Sequence, residues 1–250
     1  MPQPRPAEDR SDAELIRTNR GFYESLWAQA KLIGPERFNT WPLLRELAAK
    51  SPRRLEVAPG LRPRLPLEDT CFVDLSHAAL RRLHASGAHA VHGMIGALPC
   101  ADASFELICA LDILEHVADD DGALAELARV ATPGASVLLS VPLHADAWTA
   151  FDDFVGHCRR YEPARIVERL ARHGFVIEAS AVYGMQPKSS RLLDLGQWYL
   201  THKRERAMWW YNRVFMPLGL HFQKPLRWRD GLGETHGVDE LLLRCRYRPA

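Results

Sequence analysis

Two short apolar segments of the sequence end in residues that suit a ligand site. Leu55–Val57, which contains Glu56, ends at the turn Ala58–Gly60, and Cys71–Val73 ends in Asp74. Glycine in such a turn lets the backbone adopt a positive φ and approach a ligand closely. An acidic residue at the tip of the next strand is how nucleotide-binding α/β folds hold the hydroxyls of a ribose. The pair therefore predicts a nucleoside site at the ends of two strands.

Histidines offer a second kind of chemistry. His116 follows Glu115, while His157 and Tyr161 lie after the fifth predicted strand, where substrate-facing loops are expected. Histidine titrates near neutral pH and could deprotonate a hydroxyl or amine, with Tyr161 orienting His157. The competing interpretations are a histidine packed beside the ligand and a solvated helix entrance carrying Arg159 and Arg160. Adjacent helical residues point about 100° apart, so Glu115 and His116 alone make a poor metal pair, and we predict no metal site.

The elements that must position these residues alternate between strands and helices. Apolar runs predict seven strands: Leu55–Val57, Cys71–Val73, His89–His92, Phe105–Ala110, Ser136–Val141, Phe175–Val182 and Val238–Tyr247. Helical spacing predicts helices over Ala13–Leu32, Trp41–Lys50, His77–Ala85, Leu111–Val117, Ala123–Ala131 and Glu162–His173, with the fifth helix stopping at Pro133-Gly134. Strands separated by helices of about ten residues predict an α/β fold with a parallel, doubly wound sheet.

The composition limits the class of protein. The chain has 250 residues, 47% hydrophobic and 25% charged, which predicts one globular core with an appended subdomain. A net charge of +1 gives no indication of nucleic-acid binding. The five cysteines include no CxxC pair and indicate reduced thiols. The first residues lack the apolar region of a signal peptide, and no apolar run is long enough for a membrane span, so we expect a cytoplasmic protein.

One segment, 186–237, breaks the alternation of strands and helices. It holds four of the seven tryptophans. The stretch from Lys188 to Arg229 contains nine basic and two acidic residues, which gives a local net charge of +7. We expect one helical face to be formed by Trp209, Tyr211, Val214, Phe215 and Leu218, with Pro217 limiting the length of the helix. The alternatives are a lid or subdomain packed on the core, a pocket for an apolar or anionic substrate, and a helix that binds a partner or a membrane surface.

The motifs resemble those of class I S-adenosylmethionine-dependent methyltransferases of the small-molecule type 11 group. LEVAPG resembles the first motif of that family, and FVDLS resembles its ribose-binding strand. ALPCADASFELICALDILEHV followed by LARVATPGASVLLSVP is similar to the stretch from the adenine loop to the fifth strand. The resemblance covers 52–185 and 238–247. It implies a Rossmann-like sheet of seven strands whose last strand is antiparallel, with an N-terminal helical cover (1–51), a core (52–185), an insertion (186–237) and a final strand (238–250).

The resemblance also implies the cofactor, S-adenosylmethionine, and the residues that bind it. Glu56 would orient the methionine end, Asp74 would accept both ribose hydroxyls, and Leu75 would flank the adenine. The turn beneath the cofactor would be Ala58, Pro59 and Gly60; the adenine pocket would be Met94, Ile95 and Gly96; and Ala110 and Leu111 would contact the methionine moiety. The implied reaction is in-line methyl transfer to a small-molecule acceptor, leaving S-adenosylhomocysteine.

The sequence departs from the family pattern at three positions. Ala58 and Arg62 replace glycines of the first motif, and Met94 replaces the polar residue that commonly reads the adenine amino group. Alanine is a mild change if its φ stays negative, whereas Arg62 before Pro63 imposes a different exit from the turn. These departures leave open a non-catalytic relative that binds a partner or membrane surface through the insertion. A nicotinamide dehydrogenase is disfavoured because the sequence contains no GxGxxG.

Overall fold

A mixed sheet of eight strands organises the molecule. The computed structural model describes residues 21, 23–184, 198–199 and 202–249. The strands are β1 (Arg54–Val57), β2 (Thr70–Asp74), β3 (His89–His92), β4 (Phe105–Ala110), β5 (Ala131–Pro142), β6 (Phe175–Val182), β7 (Arg229–Asp230) and β8 (Glu240–Tyr247). Their spatial order is β3-β2-β1-β4-β5-β8-β6-β7. Strands β1 to β5 pair in parallel, and β8 lies antiparallel between β5 and β6. The predicted fold class and antiparallel last strand are confirmed, with β7 as an additional edge strand.

Helices cover the sheet. At one edge they also cover the ends of its strands. Helix α1 comprises residues 23–29. The others are α2 (Trp41–Lys50), α3 (His77–Ala85), α4 (Asp120–Val130), α5 (Ala150–Val155), α6 (Pro163–Arg172), α7 (Arg204–Trp210) and α8 (Met216–His221). A π-helical turn, Tyr211–Phe215, joins α7 to α8. No helix within the described residues is long and apolar enough to cross a membrane.

The strand order places a crevice at the ends of β1 and β4. The chain runs from β1 outward through β2 and β3, then returns to β4 on the other side of β1. The connections that follow β1 and β4 therefore diverge, and in open α/β sheets ligands bind where the connections separate in this way. The residues after β1, β2 and β4 consequently share one edge of the sheet. This is the edge to which the sequence motifs were assigned.

Two sequence features shift element boundaries away from the predictions. Pro133-Gly134 does not end the helix but lies in a bulge of β5, between the pairs Phe105–Ala131 and Leu107–Ser136. The helix predicted over Leu111–Val117 is only a 3₁₀ turn, Leu114–His116. The reason is Asp112, whose φ of 54° places it in the left-handed region and interrupts helical hydrogen bonding. The helix predicted over Ala13–Leu32 ends earlier, at residue 29, and its first part lies outside the described residues.

The turn after β1 is held in an unusual backbone conformation. Ala58 has a φ of 55° and Gly60 a φ of 54°, both in the left-handed region. The condition under which alanine would be a mild change, a negative φ, is therefore not met. The Ala58 N–H donates to the carbonyl of Val73 at 2.7 Å, and this hydrogen bond to β2 holds the alanine there. Left-handed backbone at a residue with a Cβ costs about 1 kcal/mol.

We expect Ala58→Gly to stabilise the protein, because glycine adopts this conformation without a steric penalty. The free energy of unfolding should rise by about 1 kcal/mol, or about 2 °C in melting temperature for a chain of this size. The matched control is Ala128→Gly in the interior of α4, which should lower the stability by about 1 kcal/mol. Urea unfolding of the three proteins measures both changes. Loss of stability in both variants would show that no strain resides at Ala58.

Candidate functional site

Asp74 joins the ends of β1 and β2. Its Oδ2 accepts a hydrogen bond from Gly60 N at 2.9 Å, and its Oδ1 accepts one from Ser76 N at 2.7 Å. The side chain is only 6% exposed, and burial raises the pKa of Asp74 to about 6, although both hydrogen bonds favour the charged form. The predicted ribose acid and the predicted glycine turn are thus brought into direct contact. A carboxylate offers about four lone pairs, so it can accept further hydroxyl donors.

Glu56 fixes the path of the chain after the turn. Its Oε1 and Oε2 accept from Arg64 N at 2.8 and 3.0 Å, and Oε2 also accepts from Leu65 N at 2.8 Å. Burial raises the pKa of Glu56 to about 7 against the effect of these hydrogen bonds. The Glu56 carboxylate therefore fixes the backbone where the chain leaves the turn through Arg62 and Pro63. Its contact with a cofactor ammonium stays a prediction.

Arg62 fills the position where the family pattern has a glycine. Its guanidinium carbon lies 5.1 Å from the ring centre of Trp27 in α1 and 4.8 Å from that of Tyr211 in the π-helical turn. Burial and the nearby Arg64 lower the pKa of Arg62 to about 9. Its Nε and Nη2 are buried without a hydrogen-bond partner among the described residues. Buried donors of this kind lower the stability of the folded protein unless an acceptor reaches them.

Further polar side chains lie near Arg62 and Asp112. Asp112 is exposed, and Tyr23, Arg62, Tyr183 and Glu240 are half-buried. Burial nonetheless raises the pKa values of Tyr183 and Glu240 far above their usual ranges. These side chains therefore keep some accessible surface where the surrounding protein desolvates them. The charges of Asp112, Tyr23 and Tyr183 act on Arg62, whose unpartnered donors lie buried beside them.

The helical cover closes over the glycine turn. A Cβ added at Gly60 would lie 2.2 Å from Cζ2 of Trp27, so the indole rests directly on the turn. Trp27 packs with Leu61 and with Met208 of α7, and Asn212 Nδ2 donates to Gln29 O at 2.9 Å. A ligand that reaches the Gly60 backbone must therefore stack on the indole or displace it. Only glycine fits at this position.

The other predicted cofactor residues lie along the same edge. Leu75 and Met94 are half-buried, Gly96 is exposed, and Gly93 N donates to Asp74 O at 3.2 Å. Ile95 is buried in the main apolar core, so its side chain contributes packing. Ala110 and Leu111 are buried at the end of β4, next to β1. The edge therefore holds all the predicted positions, with only some of their side chains accessible.

The structure brings His116 and His157 together. Their ring centres lie 4.7 Å apart at 80°, and both side chains are buried. His116 Nε2 is 3.2 Å from the Tyr23 hydroxyl, and its Nδ1 is 3.3 Å from Gly156 O. Burial and His157 lower the pKa of His116 to about 3, so the ring is neutral and a weak base. The loops are linked because Cys158 N donates to Glu115 O at 2.6 Å.

Tyr161 does not orient His157 as predicted. Its hydroxyl donates to Asp120 Oδ2 at 2.8 Å and is buried beneath the site, because Asp120 opens α4 beside it. Asp152 orients His157 instead, accepting from its Nδ1 at 2.8 Å. Asp152 also accepts from Arg160 Nε and Nη2, both at 3.0 Å. The entrance to α6 is thus a buried ion-pair network, and neither His157 nor Arg160 is a solvated surface residue.

A capping pattern could have revealed Asp152. Thr149 and Asp152 form a capping box at the start of α5, with Asp152 Oδ2 accepting from Thr149 N and Oγ1 at 2.8 and 2.7 Å. The sequence signal is a threonine followed three residues later by an acid. The partnership with His157 has a second signal, since Gly156 (φ 79°) ends the helix and turns the chain back.

The predicted apolar face of the insertion is split between two surfaces. Trp209, Phe215 and Leu218 are exposed, whereas Tyr211 is half-buried against Arg62. The π-helical turn adds a residue per turn and rotates the following positions away from the spacing of an α-helix. The buried contacts are made by Met208 and Met216. Pro217 does not end the helix, because it lies in the first turn of α8.

Known proteins provide a comparison for the core and the fold. Residues 56–139 match a family model described as a methyltransferase domain. The chain has no significant sequence match among curated proteins. One similar structure is an S-adenosylmethionine-dependent methyltransferase from Thermotoga maritima (TM-score 0.54, 15% identity, 82% of this chain and 92% of that chain).

Two further structures share the fold. Haemonchus contortus phospholethanolamine N-methyltransferase 2, in complex with phosphomonomethylethanolamine and S-adenosylhomocysteine, has a TM-score of 0.57 at 17% identity, covering 96% of this chain and 61% of that chain. The cyclase SpnF has a TM-score of 0.52 at 15% identity, covering 84% and 81%. At such identities the likeness shows the fold alone.

We expect Asp152→Asn to destabilise the protein by about 3 kcal/mol at neutral pH, because it leaves Arg160 and His157 facing a neutral amide in a buried site. Burial opposes the charge of Asp152, but hydrogen bonds from His157, Arg160 and Thr149 outweigh it and hold the pKa of this carboxyl well below its usual range. A depressed carboxyl pKa contributes stability above the unfolded-state value, and this stability is lost as the pH falls through the folded-state value.

The difference between the wild type and Asp152→Asn should therefore shrink on acidification below the usual carboxyl pKa. Urea unfolding at several pH values measures this difference. The control is Asp153→Asn, one residue away and half-buried, which should follow the wild type at every pH. If the difference in the free energy of unfolding between the wild type and Asp152→Asn stays constant down to acidic pH, the negative charge inferred for Asp152 would be contradicted.

Proposed function

We propose that this chain, an S-adenosylmethionine-dependent methyltransferase whose methyltransferase domain spans residues 56–139, transfers a methyl group to a small-molecule acceptor. The observation that carries the proposal is the contact between the Asp74 carboxylate and the Gly60 turn at the edge where β1 and β4 diverge. That contact unites an acid for ribose hydroxyls with a turn that admits close approach.

The residues of this edge fit S-adenosylmethionine. Asp74 would accept the ribose hydroxyls with its remaining lone pairs, and Leu75 would flank the adenine. The unpartnered donors of Arg62 suit the carboxylate of the methionine moiety. Further positions proposed to bind the cofactor are Glu56, Ala58, Pro59, Gly60, Met94, Ile95, Gly96, Ala110 and Leu111. When bound, the cofactor supplies a methyl group on a sulfonium centre that a nucleophile displaces in line.

The chain's own residues then act mainly by alignment and by exclusion of water. Trp27 and Tyr211 stack on the Arg62 guanidinium and shield it from water, which strengthens any ion pair formed there. Asp112, Glu240 and Tyr23 keep accessible surface near Arg62 and Asp112, and we place the approach of the acceptor there. In-line displacement depends chiefly on the relative positions of nucleophile and methyl group. Accordingly, the neutral His116, a weak base, is not proposed as the proton acceptor.

We expect Asp74→Ala to weaken binding of S-adenosylhomocysteine and S-adenosylmethionine by tenfold or more, since it removes charge-assisted hydrogen bonds to the ribose. Calorimetric titration of the folded full chain measures the affinity, with an NAD titration run in parallel. The matched control is Asp230→Ala on the edge strand β7, far across the sheet, which should bind as the wild type does. Absence of binding to both sulfur ligands by folded wild-type protein would overturn the proposal.

Arg62 permits a sharper test of which part of the cofactor lies where. We expect Arg62→Gln to weaken binding of S-adenosylhomocysteine by about tenfold, equivalent to about 1.4 kcal/mol. Binding of 5′-methylthioadenosine, which lacks the amino-acid carboxylate, should be unchanged. Arg213→Gln is the control, because Arg213 also stacks on an aromatic ring (5.3 Å from the ring centre of Trp209) but on the exposed side. An equal loss for both ligands would remove Arg62 from the carboxylate site.

A further inference from the structure

Glu115, His116 and His157 form a cluster of metal-ligating groups. One carboxylate oxygen and one ring nitrogen from each histidine all lie within 4.8 Å of one another, and the three side chains are buried. Glu115 and His116 come from the 3₁₀ turn after β4, while His157 comes from the loop after α5. The sequence offered only the adjacent pair and predicted no metal. The third group arrives from 41 residues further along the chain.

Both imidazoles are held in the tautomer that a metal requires. The Asp152 carboxylate and the Gly156 carbonyl can only accept hydrogen bonds, so Nδ1 of His157 and Nδ1 of His116 carry the hydrogens. In the neutral form of each ring this leaves a lone pair on Nε2; that of His116 accepts a hydrogen bond from the Tyr23 hydroxyl at 3.2 Å, which a cation would replace. Metal-binding histidines usually donate their other ring N–H to a carboxylate or a backbone carbonyl, which fixes the ring and increases its basicity. The two partners found here are of those two kinds.

The carboxylate of the cluster lacks a counterpart. Glu115 is 3% exposed, and its Oε2 has no hydrogen-bond partner among the described residues. Burial and the charge of Asp112 raise the pKa of Glu115 well above its usual range. A buried oxygen of this kind costs free energy unless a donor or a cation reaches it. One ring nitrogen of each histidine lies within 4.8 Å of a carboxylate oxygen of Glu115, and a cation would satisfy all three groups together.

We propose that Glu115, His116 and His157 bind one divalent transition-metal cation of the Zn²⁺ class at the acceptor side of the site. Two imidazoles and one carboxylate suit zinc and its neighbours better than Mg²⁺, which prefers oxygen ligands. Ligand atoms about 2.1 Å from a tetrahedral ion lie about 3.4 Å apart, so small side-chain rotations close the cluster. Three protein ligands leave a coordination position open.

The open coordination position of the metal indicates which kind of methyl acceptor would bind. The cluster lies beside Tyr23 and close to the charge of Asp112, and both of these residues keep accessible surface. A cation there would hold an oxygen-bearing acceptor, such as a hydroxyl or carboxylate compound, through that oxygen. This role in transfer rests on the proposed function. Binding of the cation by itself does not.

The test begins with Zn²⁺ and Co²⁺ titrated into the full chain after treatment with a chelator. We expect one equivalent of each to bind, a visible Co²⁺ absorption typical of a low-symmetry nitrogen–oxygen site, and a higher melting temperature with Zn²⁺. Mg²⁺ should produce neither effect at the same concentration. Absence of a stoichiometric Zn²⁺ site in folded wild-type protein would overturn the proposal.

Variants locate the ion. Glu115→Gln preserves the shape of the side chain but cannot form a carboxylate ligand, and His157→Ala removes one ring; each should weaken Zn²⁺ binding by at least tenfold. Because His157→Ala also disturbs Asp152, Glu115→Gln keeps the test valid if that variant fails to fold. The control is His77→Ala, since His77 and His92 stack at the surface with ring centres 4.6 Å apart and form an alternative adventitious site. Loss of binding only in His77→Ala would overturn the proposal.

The metal-binding test and the test of the proposed function can fail independently of each other. Titration with S-adenosylhomocysteine in the presence of the chelator tests cofactor binding without the metal. Cofactor binding without any Zn²⁺ site would overturn the metal proposal alone. A Zn²⁺ site lost in Glu115→Gln supports the metal proposal whether or not the cofactor binds.

Discussion

The parallel pairing of β1 with both β2 and β4 is the constraint on which the site depends. Because β1 lies between its neighbours, the ends of all three strands meet at one edge, and the connections diverge there. The hydrogen bond from Gly60 N to Asp74 Oδ2 then fixes two of those ends relative to each other. The left-handed backbone at Ala58 follows from the same pairing, since its N–H extends the β1–β2 hydrogen bonding by one residue. Local strain at the turn is thus a consequence of the arrangement of the sheet.

Electrostatics divides the edge into two halves. In one half, Arg62 presents buried donors without an acceptor; in the other, Glu115 presents a buried oxygen without a donor. Folded proteins keep few such groups, because each costs about 1–3 kcal/mol; each therefore needs a physical explanation, and a bound ion or ligand is one. The donors of Arg62 suit an anion, and the Glu115 oxygen suits a cation. An anionic cofactor terminus beside Arg62 and a metal beside Glu115 would each remove one of these costs.

Local patterns in the sequence predicted the parts of the structure that depend on neighbouring residues. The strands Phe105–Ala110 and Phe175–Val182 have the predicted bounds, because each is a mainly apolar run that follows a turn. The predicted family resemblance is confirmed over residues 56–139. Long-range contacts escaped prediction. The bulge around Pro133-Gly134 depends on pairing with β4, and the stacking of Arg62 depends on two helices far away in sequence.

The histidines show why the site was harder to predict than the fold. On the sequence alone, Glu115 and His116 are an adjacent pair with diverging side chains, and His157 is one of eleven histidines. What unites them is a chain of short-range constraints: the capping box at Thr149, the left-handed Gly156 and the hydrogen bond from Cys158 N to Glu115 O. Asp152 completes the chain, because the same carboxylate that caps α5 also anchors Arg160 and aims the imidazole of His157. A residue whose local role is structural therefore sets the geometry of the candidate metal site.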